Sequence, residues 1–186
     1  MAATFSWAQY TGSSGNSTTF LGSGLSPTSS AAAMSWDFET SDSTGTVTYT
    51  ANPVSAGSAS WPVWLKGYFT NSVAFTVSNV KVWQFNPGAS SANTASFTVF
   101  GTAQTAYSVA TGSATSITYA SNVQIPTSAQ STSAPGGPLT GFGTFGTGGG
   151  NSGVLQNYLA MQLSAAGAAP AGTSGYFGYT MQYDEQ

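Results

Sequence analysis

Apolar and polar residues alternate with a period of two through the middle of the chain. Met34, Trp36 and Phe38 alternate with Ser35, Asp37 and Glu39, which puts the apolar set on one face of a strand. Val47 and Tyr49 repeat the pattern, as do Val63, Leu65 and Phe69, then Val73, Phe75 and Val77. Asp42 to Gly45 and Asn52-Pro53 lie between these runs and end strands by turn chemistry. After Val77 the apolar phase moves to Val80 and Val82, and a one-residue slip of this kind predicts a turn or bulge at Ser78-Asn79. Thr4 to Tyr10 predicts a first strand with Phe5 and Trp7 on one side. Ser96 to Phe100, Thr105 to Val109 and Ser116 to Val123 predict further short ones. Tyr176 to Tyr183 predicts the last strand, with Phe177, Tyr179, Met181 and Tyr183 on one face.

Val154 to Leu163 fits two patterns. Leu155, Leu159 and Leu163 have helical spacing, whereas Leu159, Met161 and Leu163 alternate with Ala160 and Gln162 as in a strand. Every other element is a strand, so a strand is expected here too. Short strands joined by Gly/Ser/Pro turns predict one all-β domain over 1–186. Its architecture is expected to be an antiparallel β-sandwich with jelly-roll-like connections, with a closed barrel as the alternative.

Two stretches lack the alternation. Residues 11–33 are rich in Gly, Ser and Thr, with Phe20, Leu21 and Leu25 as isolated apolar points. This reads as a long loop or arm, either reaching a neighbouring subunit or lying on its own domain. Residues 126–153 read as a Gly/Pro-rich loop around Phe142 and Phe145. These five apolar residues are the expected interface anchors.

Composition narrows the functions open to such a fold. The chain has no cysteine and no histidine, which removes disulfides, thiolate metal sites and the commonest general base. Charged residues make up 4% of it, against roughly 25% in soluble domains. Aromatics make up 13%, which argues against disorder. Two lysines, no arginine and a pI near 4.1 leave little to neutralise phosphates, so no nucleic-acid partner is expected. No apolar stretch approaches the ~20 residues of a membrane span, so no membrane partner is expected either. The first residues have neither the positive nor the apolar region of a secretory signal. The expected setting is a cytoplasm, unless a particle carries the chain out. With so little charge to keep copies apart, the chain is easier to understand as part of an assembly than as a diffusing enzyme.

Candidate chemistry is sparse. Gly141 to Gly146 matches G-x-G-x-x-G, but the flanks SAPGGPLT and TGGGNSG offer neither strand nor helix, so a flexible glycine loop is expected. Asp37, Glu39 and Asp42 form the one acidic cluster outside the C-terminus. Asp37 and Glu39 point the same way from one strand, unlike glycosidase carboxylates, and the spacing lacks the ligand series of a calcium loop. Both are expected outward and solvated, paired with Lys66 and Lys81. No Ser-His pair is possible and G-x-S-x-G does not occur. No catalytic residue, metal or cofactor is expected. Trp61, Trp64, Tyr68 and Trp83 suggest carbohydrate stacking as a second idea, although aromatics on strands are more often core. Trp64, Lys66 and Tyr68 lie on the opposite face from Val63, Leu65 and Phe69, so one of these faces is expected to be covered by another sheet or a neighbour.

Thr48 to Ser58 (TYTANPVSAGS), then Trp64, Phe69 and Val77 to Trp83 (VSNVKVW), resemble small structural proteins from the head and tail genes of tailed bacteriophages. Tyr158 to Leu163 (YLAMQL) and Phe177 to Glu185 carry the same resemblance near the C-terminus, whereas 11–33 and 126–153 depart from it. The resemblance implies a non-enzymatic virion protein, assembled in a host cytoplasm. Among such roles it favours a capsid decoration or cement protein, a homotrimer bound to the major capsid protein or another virion protein. A neck, tail or baseplate component is the alternative within the virion, and a host-surface glycan-binding module the alternative outside that class.

Overall fold

A computed structural model describes residues 3–11, 16–25, 38–42, 51–71, 73–85, 97–109, 112, 139–144, 152–169 and 178–186. Its strands are β1 (Thr4–Thr11), β2 (Asn16–Leu25), β3 (Val63–Thr70), β4 (Val77–Phe85), β5 (Phe97–Gln104), β6 (Ser152–Val154), β7 (Tyr158–Ala165) and β8 (Gly178–Glu185). All pairings are antiparallel. One sheet runs β2-β1-β3-β7-β5, with β6 also on β3, and β4 and β8 form a second. No helix occurs among the described residues. The fold is all-β.

The alternation in β1 and β3 builds the floor of the core. Phe5 pairs with Phe69, Trp7 with Gly67 and Gln9 with Leu65, so one face of both strands carries the large apolar groups. The Phe5 ring meets Trp7 edge-on at 5.0 Å and Phe69 at 4.9 Å. β3 begins directly after Pro62, which has no N–H to give a ladder. Before that proline the backbone still pairs with β7: the Ser60 amide donates to Leu163 at 2.8 Å, and the Ala165 amide to Ser58 at 2.8 Å. The Ser60 hydroxyl accepts from the Leu163 amide, and the buried Gln162 amide donates to the Ser60 carbonyl at 2.6 Å. The buried polar groups at this break are thereby satisfied.

β6 and β7 share one edge of β3, with a bulge between them. Tyr68 faces Val154 and Leu65 faces Leu159, so Lys66 and Gly67 span the four residues 155–158. An excess of two is a full strand period, which leaves the faces unchanged. Leu155 therefore remains on the core side with Leu159, Met161 and Leu163, all buried. The helical spacing of the leucines has this origin. Leu155 sits over Gly67, where a Cβ would lie 2.8 Å from Leu155 Cδ1 and 3.0 Å from Phe5 Cε2. A larger residue at 67 would have to displace the Leu155 side chain.

The predicted slip at Ser78-Asn79 is a bulge. Asn79 has φ 52° and the β4–β8 register shifts between Ser78 and Lys81. Val77, Val80 and Val82 are all buried as a result. Leu139 exchanges two 3.0 Å hydrogen bonds with Val82 on the other side of β4. One apolar cluster takes Phe5, Leu65, Phe69 and Met161 from the first sheet and Val77, Val80 and Val82 from the second. Phe69 meets Tyr183 of β8 edge-on at 5.1 Å.

Several expectations need correction. Part of the segment 11–33, read as a loop or arm, is β2, whose backbone places Leu25 opposite Phe5, Leu21 opposite Trp7 and Phe20 opposite Ala8. Its Gly/Ser/Thr composition conceals a strand that draws on backbone pairing at the sheet's end. Thr105 to Val109 is not a strand; Thr105 and Ala106 are exposed bends after β5. Phe142, expected as an isolated apolar point on a glycine loop, is 1% exposed and belongs to the core. Glu39 was expected outward, yet it is 5% exposed, and its carbonyl accepts from the Trp61 amide at 2.8 Å. Met34 to Asp37, Val47, Tyr49, Ser116 to Val123 and Phe145 lie outside the described residues.

Candidate functional site

The face of the six-stranded sheet opposite the core carries a second, smaller aromatic cluster. Tyr10 of β1 pairs with Trp64 of β3, Trp64 with Ala160 of β7, and Ala160 with Thr102 of β5. The methyl of Ala160 leaves room beside the indole. Tyr158, two residues earlier on the same face, and Tyr107, just past the end of β5, fill that room. Trp64 and Ala160 are buried, with Tyr10, Tyr107 and Tyr158 half-buried around them. Trp64 meets Tyr107 at 5.3 Å and Tyr158 at 5.8 Å, both edge-on, and Tyr10 meets Tyr158 edge-on at 5.1 Å. Such offset ring pairs are the arrangement that aromatic quadrupoles favour.

Charge enters at the rim. The Lys66 ammonium stands 4.2 Å from the centre of the Tyr158 ring, a cation–π contact worth about 0.5–1 kcal/mol at an exposed site. Burial lowers the Lys66 pKa and raises those of Tyr10 and Tyr158. Tyr107 is pushed up to about 12, first by burial and then by the charges of Asp42 and Tyr158. At neutral pH all three phenols therefore keep their protons and can both donate and accept. One group in the cluster is left over. Trp64 Nε1 is buried without a hydrogen-bond partner, a situation that costs about 1–3 kcal/mol.

A separate groove of about 280 Å³ lies between the β4 bulge and residues 140–144. Its lining includes Phe142, and Lys81 is the one charged side chain among the described lining residues. Gly141 and Gly143, at φ 89° and 76°, turn the chain here, and the carbonyls of Gly141 and Phe142 accept from Asn157 at 2.6 and 3.2 Å. The glycine motif thus clasps the bulge between β6 and β7. Asn79 beside it donates to Asp184 at 2.6 Å. Among the described lining residues there is no carboxylate, histidine or cysteine.

The residues singled out from sequence are scattered. Phe20, Leu21 and Leu25 lie on β2, Phe142 is in the core, and Phe145 falls outside the described residues. Of the four candidate stacking aromatics, Trp64 is the one in the cluster. Trp61 and Tyr68 are half-buried elsewhere, and the side chain of Trp83 is outside the described set. Sequence reasoning separated the two faces of β3 but missed Tyr10, Tyr107 and Tyr158, which only strand pairing brings to Trp64. Among the described residues no three His, Cys, Asp or Glu side chains are grouped to hold a metal ion, and no helix is long and apolar enough to cross a membrane.

The class these features define is an all-β protein with a hydroxyl-rimmed aromatic cluster on one sheet face. No family model, curated protein or solved structure matches the chain.

Proposed function

We propose that this chain is a non-enzymatic structural protein of a bacteriophage virion, a capsid decoration protein that clamps neighbouring shell subunits. The observation that carries the reading is the chain's chemical inventory. In 186 residues there is no histidine or cysteine, with two lysines and five acids in all. Such a chain acts by burial and hydrogen bonding, which suits a part of an assembly. The resemblance of its central and C-terminal segments to phage head and tail proteins supplies the particular assembly. The two sheets sharing one apolar cluster support a sandwich with jelly-roll-like connections. Among the described residues β2 and β5 end the strand order of the larger sheet, and strand edges are where a neighbouring chain can pair. A homotrimer on the major capsid protein is the arrangement proposed.

The test is the number of copies of this chain in purified particles, by quantitative mass spectrometry against the major shell protein. A fixed, high ratio to that protein supports decoration. A count fitting one small ring would move the chain to the neck, tail or baseplate, and absence from particles would end the virion reading.

A further inference from the structure

We propose that the aromatic cluster at Trp64 is a binding site for a neutral saccharide, whose ring replaces the Tyr107 phenol over the indole and whose oxygen accepts the Nε1 hydrogen. The inference is independent of whether the chain decorates a capsid or belongs to a tail.

The unpartnered indole N–H is the starting point. Trp64 is 1% exposed and its Nε1 has no acceptor. A phenylalanine would fill much of this position without an orphaned donor, so packing alone gives no reason for an indole. An acceptor oxygen supplied from outside gives one. Tyr107 meets the indole at 5.3 Å, and its attachment differs from its neighbours'. Tyr10, Trp64, Lys66 and Tyr158 are set on paired strands, whereas Tyr107 lies beyond the last ladder pair of β5, Gln104 with Tyr158, next to the exposed Thr105 and Ala106. Moving Tyr107 breaks no strand pairing.

The rim selects the ligand class. A bare hydrocarbon would leave Nε1 unpaired, and Asp42 acts on Tyr107 with a charge that disfavours an anion. Three protonated phenols, one ammonium and one carboxylate around aromatic rings offer donors and acceptors at the edge and apolar faces within. A sugar ring has the complementary layout, with C–H groups on its face and hydroxyls around its rim.

The experiment is an NMR titration of the uniformly 15N-labelled chain with neutral mono- and oligosaccharides at millimolar concentration. Trp64 is identified as the indole resonance missing from Trp64→Phe. The expected result is a saturable shift of that resonance with at least one sugar, and an affinity at least tenfold weaker in Trp64→Phe. Tyr107→Ala should bind as tightly or more tightly, because the covering ring no longer has to leave. If Trp64→Phe does not fold, the sign of the Tyr107→Ala effect decides by itself. No saturable shift with any saccharide would overturn the proposal, as would weakened binding in a folded Tyr107→Ala. A response to a proline-rich peptide alone, or to protein concentration alone, would overturn it in favour of a peptide ligand or a second copy.

Discussion

The two faces of β3 have opposite requirements although their residues alternate along eight positions. On one face Val63, Leu65 and Phe69 meet apolar groups from both sheets, and no polar atom needs a partner. On the other, Trp64 is as deeply buried as Leu65, but under three phenols and with its N–H unpaired. Burial alone does not distinguish them. The inner face is closed chemically, whereas the outer face is closed only sterically and retains an unused donor. Function is better sought where packing is complete and hydrogen bonding is not.

Substitutions on the two faces should therefore behave differently. The largest loss is expected on the inner side. Phe69→Ala should lower unfolding stability in urea by about 3–5 kcal/mol, and Phe142→Ser by at least as much, from cavity formation in a packed core. If Phe142→Ser left stability unchanged and weakened association instead, the residue would be an interface anchor after all. Next comes the tie between chain ends. Both Glu185 oxygens accept from the Ala3 amide, at 3.0 and 2.9 Å, and one accepts from Asn71 at 3.1 Å. Glu185→Ala should lower stability by about 1 kcal/mol, below the ~1.5–3 kcal/mol of buried charge-assisted bonds, because the site is half-exposed. An unchanged midpoint would mean that the tie adds nothing.

On the outer face the effects should be smaller. Trp64→Phe should change stability by less than about 1 kcal/mol, since lost contact is offset by removing an unsatisfied donor. A loss as large as that of Phe69→Ala would make the two faces alike. The smallest signal is in alkali. Tyr107 has a folded pKa of about 12 against an ordinary 10, so the folded chain holds its proton longer than the unfolded one. Its contribution to stability is complete below pH 10 and disappears as pH rises toward 12. Ultraviolet titration of the phenolates should show Tyr107 ionising late. Asp42→Asn should lower its pKa but leave it above 10, because burial is the larger cause. A return to 10 would make Asp42 the main cause.

Legibility from sequence followed the kind of interaction involved. Strands packed on the core, such as Val63 to Phe69 and the slip at Asn79, were readable because alternation records which side is buried. β2 was not readable, because its pairing with β1 uses backbone groups that every residue has. Phe142 was misplaced because glycine neighbours suggest a loose loop. Here Gly141 and Gly143 instead provide the positive φ values that turn Phe142 into the core. At Gly143 a Cβ would collide with Gln156.

By itself, then, the sequence determined that this protein is built of strands, lacks histidine and thiol chemistry, and separates two faces on β3. Those properties are local, carried by side-chain alternation and by which groups are present. The tertiary structure alone decided that Tyr10, Tyr107 and Tyr158 gather over Trp64, that Glu39 and Phe142 are buried, and that Glu185 reaches Ala3 just before β1. Each depends on contacts between segments far apart in the chain, which periodicity within a segment does not encode.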